Sequence, residues 1–445
     1  MARTRVLILG AAGKDFHVFN TLYRDDDRVE VVGFTAQQIP HIEDRLYPPS
    51  ISGGLYPEGI PIHPEDELDE LIGRLAVDRC VMAYSDVSHE YIGHLAARVN
   101  ALGAGFELPS ATRTMIESKL PVVAVCASRT GVGKSQTSRA VARVLRAAGF
   151  KVAAIRHPMP YGDLAKQRVQ RFAGEDDLVR HEVTIEEREE YEPHIANGSV
   201  VFAGVDYGAI LQEAEKVADV ILWDGGNNDT PFYKPDVHIT LVDPHRPGPA
   251  LTYYPGETNV RRADVIIINK VDTAPPEPEN VQKVRENVES VNPGAVILEA
   301  ASPIFVDDPS VLKGRRVLAV EDGPTLTHGG MKYGAATIAA RRAGAAALVD
   351  PRPFLVGELK DTFETYPQLG ILLPAMGYGE QQVKDLEATF AKAAEGGVEA
   401  VAVGTPIDLG RLVKIPVPNT RVRYELQVLG QPTLEDVLAP VLSKR

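Results

Sequence analysis

Cysteine is nearly absent: Cys80 and Cys126 are the only two in 445 residues. That excludes a disulfide framework, and the pair lacks the close spacing that zinc sites use. Cys126 sits inside an apolar run, where a thiol packs as a small hydrophobe. No apolar run approaches the roughly 20 residues a membrane helix needs, so no membrane partner is expected. The opening residues pass from a basic pair straight into an apolar run without a small-residue cleavage site, and the expected location is cytoplasmic. Positive charge is also scarce. With 47 Lys and Arg against 61 Asp and Glu, the net charge of −14 repels a phosphate backbone and argues against nucleic-acid binding. Any anionic ligand must then be held by local basic groups or by metal.

What is present reads as α/β. The length exceeds that of one hydrophobic core, so two or three units are expected. Apolar runs at 5–9, 29–34, 80–83 and 105–108, with a glycine loop at 10–13, suggest a Rossmann-like unit over 1–117. That loop is a weak dinucleotide signal, since the second strand ends in Phe34-Thr-Ala rather than in the acid that holds a ribose. A structural or oligomerising role is expected for it. A second unit, 118–325, has runs at 122–127, 152–155, 220–223, 237–242, 265–268, 296–298 and 317–320. Most are unbroken, as strands buried on both faces of a parallel sheet are. Helical spacing at Thr137, Val141, Val144, Leu145 and Ala148, stopped by Gly149, completes a doubly wound P-loop pattern. Residues 326–445 read as an α/β extension, with runs at 371–373 and 401–403 around a helix near 380–394.

Residues 128–135, Ser-Arg-Thr-Gly-Val-Gly-Lys-Ser, lie between an apolar strand and a helix, the context in which a phosphate loop works. Arg129, Thr130, Gly131, Val132, Gly133, Lys134, Ser135 and Gln136 are the nucleotide contacts this predicts. Backbone N–H groups surround the β-phosphate, Lys134 reaches the β and γ oxygens, and the Ser135 hydroxyl ligates magnesium. Ser128 replaces the usual first glycine. Arg129 stands where one P-loop subclass carries an extra lysine, a position open to phosphate or to solvent. The run 220–223 delivers Asp224 at a strand's end, where a magnesium-side acid belongs. The run 265–268 delivers Asn269-Lys-Val-Asp272, the base-reading pattern of GTPases, in which Asp272 meets guanine N–H donors while Asn269 braces the loop. Simple turn chemistry is the other reading.

Three further strand ends carry cations: Arg156 and His157, Arg246, and His328. Together they are placed to neutralise a small polyanionic phosphorylated substrate. The acidic stretch 186–192 reads most simply as a solvated helix face.

These motifs taken together, with Gly-Ala-Ala-Gly-Lys-Asp-Phe-His near the start and Thr-His-Gly-Gly-Met-Lys-Tyr-Gly at 327–334, resemble the cyclic 2,3-diphosphoglycerate synthetases, whose relatives include chains labelled predicted GTPases. The resemblance runs from about residue 6 to about 423. It implies an enzyme in which ATP drives closure of an intramolecular phosphoanhydride in 2,3-diphosphoglycerate, with Mg2+ as cofactor and a homodimer as the assembly. It places the phosphate loop at Gly131, Gly133, Lys134 and Ser135, the metal acid at Asp224, and substrate groups at Arg156, His157, Arg246 and His328. The Asn269 to Asp272 element points instead to GTP and to a regulatory or metallochaperone-like switch.

Overall fold

The computed structural model describes residues 2–37, 45–157, 162–226, 229–273, 279–323, 326, 333–375 and 380–444. The described residues form three large sheets and a two-stranded ribbon that pairs Val87–Ser88 with Tyr253–Tyr254. The first is ordered Leu46–Tyr47, Ile60–Pro64, Val29–Ala36, Thr4–Leu9, Arg79–Met82, Gly105–Glu107, parallel except at the Leu46–Tyr47 edge. Three of the runs expected in the first unit are therefore inner strands, and the run at 105–108 forms the other edge.

The second sheet has nine strands, with Val122–Ala127 between Val220–Trp223 and Val237–Val242. Antiparallel strands close both edges, Gln170–Phe172 at one and Gln427–Leu429 at the other. Alternate residues of Val122–Ala127 enter separate cores. Val123, Val125 and Ala127 meet Val141 and Leu145 of the helix Lys134–Ala147, while Val122, Ala124 and Cys126 meet Trp223 and Phe232. This two-sided burial is why the run is unbroken. Full burial of Val141 or Leu145 is worth about 1.5–3 kcal/mol each, which fixes the helix against the sheet. Gly149, at φ +88°, ends the turn that follows the helix, and the C-terminal helix Leu434–Leu442 packs on the same face.

The third sheet is built on Arg316–Asp322, flanked by Ala400–Gly404 and by Ala347–Leu348 and Leu373–Ala375. The run 317–320, read as a strand of the phosphate-loop sheet, is thus the centre of a different sheet. Its apolar pattern reports burial on two faces and is silent about which neighbours provide it. One helix, Ile185–Ala196, joins the two layers. Its first residue, Ile185, packs in the core of the third sheet, while its far end lies against the phosphate-loop sheet. Among the described residues no helix is long and apolar enough to cross a membrane.

Candidate nucleotide and substrate site

The loop at 128–135 leaves the carboxyl edge of its sheet and becomes the helix Lys134–Ala147. Gly131 and Gly133 have φ of +84° and +107°, and a Cβ on Gly133 would lie 2.1 Å from Asn269 Nδ2. Glycine is therefore required there by both conformation and space. Protein groups hold the loop open from several sides. Asn269 Nδ2 donates to the Val132 carbonyl at 2.8 Å, Lys270 Nζ donates to the Gly131 carbonyl, and Arg246 Nη2 donates to the Thr130 carbonyl at 2.9 Å. From the first sheet's unit, Asp86 accepts from the Thr130 N–H at 3.2 Å and pairs with Arg129 Nε at 2.8 Å, the guanidinium lying over the Tyr253 ring. Carbonyls tied back in this way leave the amides at the helix start facing the cleft, a preorganised anion site.

Asp224, at the end of Val220–Trp223, is the electrostatic hub. Lys134 Nζ meets its Oδ1 at 2.7 Å, and Arg156 Nη1 and His194 Nε2 meet its Oδ2 at 2.9 Å each. Burial opposes its charge, but Arg156 and Lys134 override that and hold the carboxyl well below the usual range. Arg156 in turn pairs with Glu190 through Nε at 3.1 Å and through Nη2. Burial is also the largest influence on Lys134, and its pKa is lowered despite Asp224.

A cleft of about 460 Å3 opens in front of the loop. One side carries Thr130, Gly131, Gly133, Lys134, Ser135 and Gln136, and His245, Lys270 and Thr273 lie toward the Asn269 strand. A further part of the lining is acidic: Glu186, Glu189 and Glu190 come from the helix Ile185–Ala196, and Glu321 and Asp322 from the end of the third sheet's central strand. Arg341 and Arg342 are exposed at the lip. Glu321 caps the helix Ala335–Arg342, accepting from Thr337 N at 2.7 Å, Thr337 Oγ1 at 2.8 Å and Ala336 N at 3.1 Å.

The expected substrate cations stand elsewhere. Arg156 is 1% exposed and committed to Asp224 and Glu190, so it positions the hub rather than facing a substrate. His157 Nε2 lies 3.0 Å from Asp229 Oδ2 and its Nδ1 lies 3.1 Å from the Tyr207 hydroxyl, within a nest of Trp223 and Phe232. Arg246 is turned to the loop carbonyl and to Asp243. His328 lies outside the described residues. Asp272 is exposed, with one oxygen accepting from Ser302 N at 2.9 Å, and Gln136 Oε1 accepts from Ser302 Oγ at 3.0 Å. The stretch read as a solvated face is the other correction: Glu186, Glu187 and Glu189 are buried, Glu187 in a capping box with Thr184. The helical spacing of Glu186, Glu190 and His194 was the available signal, since it aligns three polar groups on one stripe.

A loop of this form, with a strand-end carboxylate beside its lysine, defines a P-loop nucleotide-binding protein. Comparison narrows the class. The family model described as cyclic 2,3-diphosphoglycerate synthetase, P-loop domain, matches residues 173–301, which include the acidic helix, Asp224 and Asn269. The arginine synthetase ArcE of Thermococcus kodakarensis is 60% identical over 436 residues, covering 98% of this chain and 96% of that one. The chain belongs to the cyclic 2,3-diphosphoglycerate synthetase family and is a P-loop ligase. Among solved structures, LpxK from Aquifex aeolicus in complex with ATP is 13% identical with a TM-score of 0.43, over 84% of this chain and 99% of that one. The hydrogenase maturation factor HypB from Archaeoglobus fulgidus is 18% identical with a TM-score of 0.28, over 40% of this chain and 80% of that one.

Proposed function

We propose that this ligase uses ATP to form a carbon–nitrogen bond on an amino acid, giving arginine. The observation that carries the reading is the group of carboxylates that lines the same cleft as the phosphate loop. A 2,3-diphosphoglycerate bears several negative charges that Glu186, Glu189 and Asp322 would repel, whereas a zwitterionic amino acid and a cationic nitrogen donor complement them. Exposed Arg341 and Arg342 at the lip suit the amino acid's carboxylate. The name of the 60% identical relative, arginine synthetase, supports the same product.

The chemistry follows from the product. Arginine differs from its ureido analogue, citrulline, by nitrogen in place of the ureido oxygen. The ureido oxygen attacks the γ-phosphorus, the bond to the bridging oxygen breaks, and ADP leaves. A nitrogen nucleophile then adds to the activated carbon, the carbon–oxygen bond breaks, and phosphate departs with the electron pair. Lys134 and the loop amides stabilise charge on the transferring group, and holding both reactants in one cleft supplies roughly 7 to 11 kcal/mol through avoided entropy loss. The Ser135 hydroxyl lines the cleft beside Lys134 and would hold Mg2+ shared with the nucleotide, whose charge would neutralise the phosphoryl oxygens, whereas both Asp224 oxygens are already taken by Lys134, Arg156 and His194.

Closure of the phosphoglycerate ring shares the activation half of this scheme and keeps the support of the family description over 173–301. Incubation with ATP, Mg2+, citrulline and ammonium, and separately with ATP, Mg2+ and 2,3-diphosphoglycerate, tests the two. Arginine formed in step with ADP and phosphate supports the proposal. A cyclised bisphosphate without arginine reverses it, and phosphate release indifferent to both substrates points to a hydrolytic switch.

A further inference from the structure

The acidic wall contains a group whose bonding is incomplete. Glu189 is 5% exposed and lines the cleft, yet its Oε1 has no hydrogen-bond partner among the described residues. A buried carboxylate oxygen left without a donor is costly unless a ligand supplies one. Its neighbours are acidic as well. Glu189 hydrogen-bonds Asp322, which stands on the third sheet's central strand, while Glu186 lies on the same helix face and Glu190 is taken up by Arg156. Tyr424 lines the same cleft, and Arg139 is a cation within electrostatic reach of it. The described residues show no three-ligand metal cluster here.

We infer that Glu186, Glu189 and Asp322 form an ammonium site, and that the Glu189–Asp322 pair takes a proton from bound ammonium to release the ammonia that attacks the activated ureido carbon. This rests on the arginine-forming reading and names its nitrogen donor. The proton balance closes. Ammonium gives one proton to the carboxylate pair, ammonia forms the carbon–nitrogen bond, phosphate leaves, and a further proton lost by the new guanidinium precursor goes to the departing phosphate. Burial, with Asp322 alongside, holds the Glu189 carboxyl well above the usual range, so the two acids share a proton and the pair has room for one more. The site lines the same cleft as Lys134 and Ser135, so the nitrogen and the phosphoryl group share one pocket.

The test uses the full chain, Glu189→Gln and Asp322→Asn, with two readouts. In arginine formation, the KM for ammonium rises at least about tenfold in either variant that folds, while the KM for ATP and citrulline stays within about twofold. In thermal melts without nucleotide, ammonium chloride stabilises the wild type more than potassium chloride at equal ionic strength, and Glu189→Gln abolishes the difference. Arginine formation with an unchanged ammonium KM in a folded variant overturns the inference, as does use of glutamine in place of ammonium, or equal stabilisation by potassium. If no donor yields arginine, the proposed function fails, and the melts alone decide the site: an ammonium-specific shift lost in Glu189→Gln sustains it, and no shift overturns it.

Discussion

Arg156 Nη1 lies 2.9 Å from Asp224 Oδ2, and both side chains are 2% exposed. A pair so deeply desolvated is structural as well as electrostatic, because either partner left alone is an uncompensated buried charge. Arg156→Met should therefore destabilise the chain by about 3–5 kcal/mol in urea melts. An arginine whose task is to bind a substrate phosphate would instead change the KM and leave the melt nearly untouched, and that result would restore the polyanion role.

Lys134 contributes differently. When it is removed, Asp224 still has Arg156 and His194 at 2.9 Å. Lys134→Ala should lower stability by no more than about 1–2 kcal/mol, since the hub stays compensated. The melting-temperature rise produced by nucleotide in the wild type should vanish, because that rise measures binding to the folded state. A nucleotide shift of undiminished size in Lys134→Ala would remove this lysine from the phosphate site.

Two buried acids set a pH dependence of unusual sign. Burial raises the carboxyls of Glu321 and Asp15 to about 7. In the unfolded chain they titrate near the ordinary carboxylate values of about 4. The folded state thus binds protons more tightly, and the stability they add is fully present below about pH 4 and lost as pH rises through about 7. Urea melts between pH 5 and 8 should show the wild type weakening with rising pH. Glu321→Gln, which keeps a carbonyl to accept from Thr337 N, should flatten that slope by about 1–3 kcal/mol across the window. An unaltered slope would mean that the helix cap is ionised throughout.

The parts of the site legible in the sequence are those whose chemistry is local. The glycines at 131 and 133, Lys134 and Asp224 lie on a strand, a turn and a helix start, so spacing along the chain reports their geometry. Arg156 and His157 were legible as cations at a strand end, but their partners Glu190 and Asp229 come from other elements, and only folding reveals that these charges are already satisfied. The acidic helix shows the converse. Period alone marks a polar stripe as facing something polar and does not say whether that is bulk water or a cleft. Ile185, packed in the core of the third sheet, shows that this helix is clamped between layers, and no pattern within 185–196 carries that information.

Base recognition by the Asn269 to Asp272 element competes with other contacts that these residues make in the fold. Asn269 Nδ2 holds the Val132 carbonyl at 2.8 Å, Lys270 holds that of Gly131, and Asp272 Oδ1 accepts from Ser302 N at 2.9 Å, tying the strand Val265–Ile268 to the end of Val296–Ala301. A carboxylate oxygen already engaged by a backbone amide is less available for two guanine donors. Asp272→Asn keeps an oxygen for Ser302 and removes the charge a guanine would seek. With ATP and Mg2+ the wild type should be stabilised more than with GTP and Mg2+, and Asp272→Asn should leave the ATP shift within about twofold. A larger GTP shift that collapses in Asp272→Asn would instead make this element a base reader and GTP the nucleotide; the carboxylates argued for the amino acid would stand, because they come from the helix Ile185–Ala196 and the strand Arg316–Asp322 rather than from this element.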